Sequence, residues 1–135
     1  MAIPRKEMDA ALKATLVPKL RSLGFKGSYP HFRREGERYV GLVGVQFSQW
    51  GSQFYVEAGV AEMAPVVVGG VSIPPNRLKY YHGWPRRRFG DLPYDYEAQP
   101  ILVVASKVAD VVEDIEAWVS STPPRRADNE RIAGG

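Results

Sequence analysis

Two stretches of this chain alternate apolar and polar residues in step on either side of a four-residue turn. Arg38–Ser48 carries Val43, Val45 and Phe47 on one side, and Gln53–Ala61 carries Phe54, Val56, Ala58 and Val60. Folding the chain at Gln49-Trp50-Gly51-Ser52 sets Phe47 against Phe54, Val45 against Val56 and Val43 against Ala58. The same pairing sets Gln46 against Tyr55 and Gly44 against Glu57. A one-residue slip would exchange the two faces, so agreement of both alternations fixes the register. Such a pair reads as part of a half-buried antiparallel sheet, apolar on one face and polar on the other. His31-Phe32-Arg33-Arg34, ahead of a Glu35-Gly36 turn, reads as a further strand. Its register is less defined, because Val40 and Leu42 fall on the polar side. Gly41 and Gly44 within the long strand mark either a bulge or a helix packed closely above it.

Helical periodicity flanks this meander. Met8, Leu12, Leu16 and Leu20 recur every four residues with Leu23 following, which predicts a helix over 4–23. Pro18 inside it removes an amide donor, so the expectation is a helix to about Leu16 and a new turn from Pro18. Gly24 reads as a left-handed cap, with Phe25 folded back on the last turn. Ile101, Val104, Val108, Val111, Ile115 and Trp118 step by three or four and predict one long helix over 98–121, with Pro100 in its first turn. Leu12, Leu16, Leu20, Val104, Val108, Val111 and Ile115 are the expected cover of the apolar sheet face. Val66–Val68 is too short to type by period. Val71-Ser72-Ile73, between Gly69-Gly70 and Pro74-Pro75, reads as a short strand. Residues 77–97, rich in aromatic residues and broken by Pro85 and Pro93, read as an irregular segment.

The expected architecture is therefore α+β: an N-terminal helix, an antiparallel meander of three to five strands and a C-terminal helix, with the helices on one sheet face. Residues 1–121 form one α+β domain and 122–135, with Pro123-Pro124 and three arginines, a flexible basic tail. At 135 residues, a single core of ordinary size suffices to fold it.

Composition excludes several chemistries. Cysteine is absent, so disulfides and thiol catalysis are out. The two histidines, His31 and His82, belong to no His-x-x-x-His or Glu-x-x-His pattern, so no metal site is expected. No phosphate loop, dinucleotide fingerprint or Gly-x-Ser-x-Gly elbow occurs, and neither a cofactor nor a catalytic residue is assigned. No apolar run approaches the ~20 residues that span a bilayer. The expectation is a cytoplasmic protein, monomeric or homodimeric, without a membrane partner. The net charge of +3 is modest, but it is unevenly spread. Residues 41–76 hold no Lys or Arg, whereas Arg86-Arg87-Arg88 is a dense basic cluster.

That cluster either pairs with Asp91, Asp95 or the acidic helix, or holds phosphates or an acidic partner with Tyr80, Tyr81 and Trp84 as stacking faces. The polar sheet face, with Gln46, Ser48, Gln53, Tyr55 and Glu57, is either a solvated surface or a ligand floor, and Arg33 joins it from the first strand. Trp50 at the hairpin tip either folds back on the sheet or anchors an interface. A candidate binding surface thus combines Arg33, Gln46, Trp50, Tyr55, Glu57, Trp84, Arg86, Arg87 and Arg88.

Gly24-Phe25-Lys26-Gly27-Ser28-Tyr29-Pro30-His31-Phe32-Arg33-Arg34, Val45-Gln46-Phe47-Ser48-Gln49-Trp50-Gly51 and Phe54-Tyr55-Val56-Glu57 together resemble a bacterial family, domain of unknown function 4304. Ile73-Pro74-Pro75-Asn76-Arg77-Leu78 and Arg88-Phe89-Gly90 resemble its later blocks, and the likeness covers roughly 5–120. The resemblance implies an α+β fold with an N-terminal helix and antiparallel sheet. It implies no assigned activity and no catalytic residues; Val66–Val71 and the tail lie outside its pattern. Three function classes follow. The first is a non-catalytic protein-binding protein, such as a toxin-neutralising or accessory protein. The second is a nucleic-acid binder using Arg86–Arg88. The third is an enzyme with its site on the polar face around His31, Arg33, Gln46, Tyr55 and Glu57. The first leads, because spacing assembles no catalytic constellation.

Overall fold

A computed structural model describes residues 3–125. Helix α1, Arg5–Ser22, is followed by strands β1 (His31–Glu35), β2 (Tyr39–Phe47) and β3 (Gln53–Glu62), then a small hairpin of β4 (Val66–Val68) and β5 (Val71–Ile73). Short 3-10 turns at Pro75–Arg77 and Tyr80–His82 lead into β6 (Arg86–Asp95). Helices α2 (Ile101–Asp110) and α3 (Val112–Ser121) close the described chain. The main sheet has the order β1-β2-β3-β6, and β4-β5 form a separate two-stranded sheet. All neighbours pair antiparallel. The α+β architecture, with helices on one sheet face, follows the sequence expectation.

The β2–β3 register is the expected one, from Phe47↔Phe54 through Val43↔Ala58. Met8, Leu12, Leu16 and Leu20 of α1 and Val104, Val108 and Ile115 of the C-terminal helices are buried against Val43, Val45, Phe54, Val56 and Ala58. At the end of α1, Gly24 adopts φ 90°. There Phe25 N–H donates to Leu20 O at 3.0 Å and Gly24 N–H to Arg21 O at 3.0 Å. This paired bonding is a Schellman cap, and it seats Phe25 in the core.

Three expectations are corrected, and a fourth, the short strand at Val71–Ile73, is borne out and gains a partner strand. Pro18 neither ends nor splits α1, which runs through it. Pro18 and Ala14 lie on the exposed side, where the carbonyl that the ring leaves without a donor is open to solvent. The expected single C-terminal helix is two: at Val111 the backbone sits at φ −88°, ψ −2°, and a Val111 N–H to Val108 O bond tightens the turn. Val66–Val68 and Val71–Ile73 form one hairpin, because Gly69 (φ 57°) and Gly70 (φ 80°) together supply a turn that only positive-φ residues make easily. Residues 77–97 are largely not irregular, since β6 is a ten-residue strand at the sheet edge. Pro93 is tolerated there because an edge strand has one row of amides that no neighbour needs.

The polar face of the sheet is also covered in part. Val40, Leu42 and Ala61, which point away from the helices, pack with Leu78 and Tyr80 as a second apolar cluster. The segment around the two 3-10 turns folds over this face, which explains why Val40 and Leu42 break the alternation. Gly41 and Gly44 both mark close approach and neither marks a bulge. A Cβ at Gly41 would lie 2.3 Å from Val119 Cγ1 of α3, and one at Gly44 would lie 2.1 Å from Cδ1 of Tyr80. Residues 122–125 continue from α3, and Arg125 N–H donates to Trp84 O at 2.8 Å. The tail expected from 126 onward lies outside the described residues.

Candidate functional site

Strand alternation and register place the side chains of the second face in rows. One row runs His31–Gly44–Glu57–Arg88 from β1 to β6, and the next runs Arg33–Leu42–Gly59–Arg86. Gln46 and Tyr55 form the adjoining pair toward the hairpin tip. Tyr80 lies over the middle of these rows. Its ring fills the space above Gly44, and its carbonyl oxygen would be 2.6 Å from a Cβ at Gly59. From there it stacks on His31, with ring centroids 6.0 Å apart, and meets Tyr81 edge-on at 5.2 Å.

Glu57 is the buried charge of this face, only 7% exposed. A lone buried carboxylate is costly, and here two guanidiniums meet it. Arg88 Nε lies 3.1 Å from Glu57 Oε1 and Arg86 Nη1 lies 3.7 Å from Oε2. Arg88 also lies over Tyr55, with its Cζ 3.8 Å from the ring centroid. The result is a fixed platform of two arginines on a glutamate and a tyrosine. Burial, with Glu57 adding to it, raises the Tyr80 phenol above its ordinary range.

The structure divides the arginine cluster. Successive strand residues face opposite ways, so Arg86 and Arg88 lie on the Glu57 face and Arg87 on the helix side. There Arg87 Cζ lies 5.0 Å above the Phe89 ring, beside a groove of about 620 Å³ bounded by Leu92, Asp114 and Trp118. Of the acidic partners considered for the cluster, Asp91 pairs with Lys107, and Asp95 accepts from Ser52 Oγ at 2.6 Å. Ser52 and the backbone amides of Glu97 and Ala98 hold the Asp95 carboxyl below its ordinary range.

The remaining candidates are dispersed. Trp50 is 90% exposed at the β2–β3 tip. Gln53 and Gly59 are six residues apart on β3, about 20 Å at roughly 3.3 Å per residue, so Trp50 and Arg86 lie at opposite ends of the sheet. Trp84 leads into β6, its N–H donating to Val60 O at 2.8 Å. Arg33 sits across the sheet on β1, 3.5 Å from Glu35 Oε1. The coherent group is thus Tyr55, Glu57, Arg86 and Arg88, with Trp84 two residues before Arg86 along the chain. Sequence reasoning missed Tyr80 as its cover. The available signal was a pair of glycines, Gly44 and Gly59, on one face of neighbouring strands.

The second face also carries His31 and His82 near Lys79. Burial, with the Lys79 ammonium adding to it, holds each imidazole below its ordinary range. His82 Nδ1 accepts from Lys79 N–H at 2.9 Å, whereas His31 Nδ1 is buried and has no protein partner. Among the described residues no three His, Asp or Glu side chains group as metal ligands, and no helix is long and apolar enough to cross a membrane.

Fold and site define an α+β domain whose sheet is cored by helices on one side and carries a braced arginine–aromatic platform on the other. Residues 16–122 match the model of a family described as a domain of unknown function, DUF4304, and the chain belongs to that family. No curated protein and no solved structure matches the chain.

Proposed function

We propose that this chain is a non-catalytic protein-binding domain, with Tyr55, Trp84, Arg86 and Arg88 as its contact surface. The observation that carries this reading is the bracing of Arg86 and Arg88 on Glu57. Arginines held in place lose little side-chain entropy when a partner covers them, which favours affinity. Arginine and aromatic side chains are also the residue types that dominate interface hot spots. Glu57 is taken up in that bracing, so it supports the platform and does not serve as a free acid or base.

Two features disfavour nucleic acid. Arg87 faces away from Arg86 and Arg88, so the three make no continuous basic stripe. One face of the Tyr55 ring is already occupied by Arg88, which removes that face as a platform for a base.

The test is affinity capture from the native host with wild type and single variants. Arg88→Ala, which removes one braced guanidinium, is expected to lose proteins that wild type and Arg87→Ala both retain. Truncation of such an anchor typically costs ~2 kcal/mol or more of binding. Retention by Arg88→Ala with loss by Arg87→Ala would move the surface to the helix side and defeat this reading. A toxin partner is a specific case, tested by assaying the captured protein's activity with and without this chain.

A further inference from the structure

The row that begins at His31 borders a cavity of about 210 Å³ between the 27–33 segment and the 76–79 segment. Its polar lining is Ser28, His31, Arg33, Asn76 and Lys79, two cations and three neutral groups, and no carboxylate lines it. Arg33 is 3.5 Å from Glu35 Oε1 and 31% exposed in its side chain, a loose ion pair that leaves most of its donors open. Lys79 makes no ion pair among the described residues.

We propose that this cavity binds a small anion of the phosphate class, either free phosphate or a small phosphate monoester. Two cations with hydroxyl, amide and imidazole groups around one small space suit a compact ion with several acceptor oxygens. Lys79 and Arg33 share the cavity with His31, and the Tyr80 and Tyr81 rings pack beside it. A phosphate group offers these donors three or more acceptor oxygens, whereas a carboxylate offers two.

The experiment is an NMR titration of the His31 ring signals in the full chain, with inorganic phosphate and with glycerol phosphate. Ionic strength is held constant with chloride. His82, whose Nδ1 accepts from the Lys79 amide, reports the Lys79 side of the cavity. A saturable shift of the His31 signals is expected, and Lys79→Gln should weaken the binding by about tenfold, the loss of one charge-assisted contact. Tighter binding of one probe distinguishes a free ion from an esterified phosphate. Equal shifts in chloride, a response that never saturates, or unchanged affinity in a folded Lys79→Gln variant would mean water or an adventitious ion only, and would overturn the proposal. If Lys79→Gln fails to fold, the comparison of phosphate with chloride in wild type decides alone.

Discussion

A methyl group at Gly44 would meet the Tyr80 ring at 2.1 Å, and one at Gly59 would meet the Tyr80 carbonyl oxygen at 2.6 Å. The second face therefore depends on two absent side chains as much as on any that are present. Gly44→Ala must displace a buried aromatic ring, and overpacking of this kind costs typically 1–3 kcal/mol, so a loss of about 2 kcal/mol in urea unfolding is expected. The second mutation identifies the cause. In a Tyr80→Ala background the clash is gone, and Gly44→Ala should then cost well under half as much. Equal costs in both backgrounds would show that the strand backbone at Gly44, and not the ring above it, sets the requirement. At this scale the sequence was only partly legible. Glu57 and Tyr55 could be placed on one face from alternation alone. Their arginine partners could not, because the strand that carries Arg86 and Arg88 was itself hidden.

That strand shows why some elements escape a reading of periodicity. Phe89 pairs with Val56 and Tyr94 with Phe54, so five residues of β6 span what two residues of β3 span. Gly90, at φ 77°, lies inside this bulge, and Pro93 follows it. The period of two is lost where it would have to be read, and Gly and Pro then read as loop. The β2–β3 pair has no such interruption, and its register was legible residue by residue. Helix α1 erred in the opposite direction. Its apolar stripe is uninterrupted, and tertiary packing of Met8, Leu12, Leu16 and Leu20 carries the helix through a proline that propensity alone would make a boundary. Because Pro18 is exposed, its replacement disturbs no core contact. Pro18→Ala restores a donor for the Ala14 carbonyl and is expected to stabilise the fold by roughly 1–3 kcal/mol. The urea midpoint measures this directly. A midpoint that falls would mean that the proline contributes something the helix geometry does not show.

At the scale of the whole molecule, covering the second face with a chain segment has a consequence for stability as a function of pH. That cover places both histidines where burial and Lys79 disfavour the imidazolium. Around His31 the charged and titratable neighbours are Arg33 and Lys79 in the cavity and Tyr80 and Tyr81 beside the ring. None of them carries a negative charge near neutral pH to offset protonation. The folded pKa values thus lie below those of the unfolded chain, near 6.5. Above that value both states hold neutral imidazoles and stability is at its full level. As the pH falls through about 6.5 the unfolded chain binds protons first, and stability declines until the folded-state pKa values are passed. Most carboxylates titrate only below about pH 5, so a window between about pH 7 and about pH 5 isolates the histidines. The urea midpoint is expected to fall from about pH 7.5 to about pH 5.5, and in His31→Gln/His82→Gln to stay nearly level over the same range. A wild-type midpoint that holds steady, or a double variant that declines just as steeply, would mean that the turn carrying Lys79 and His82 opens readily enough for both imidazoles to charge in the folded state.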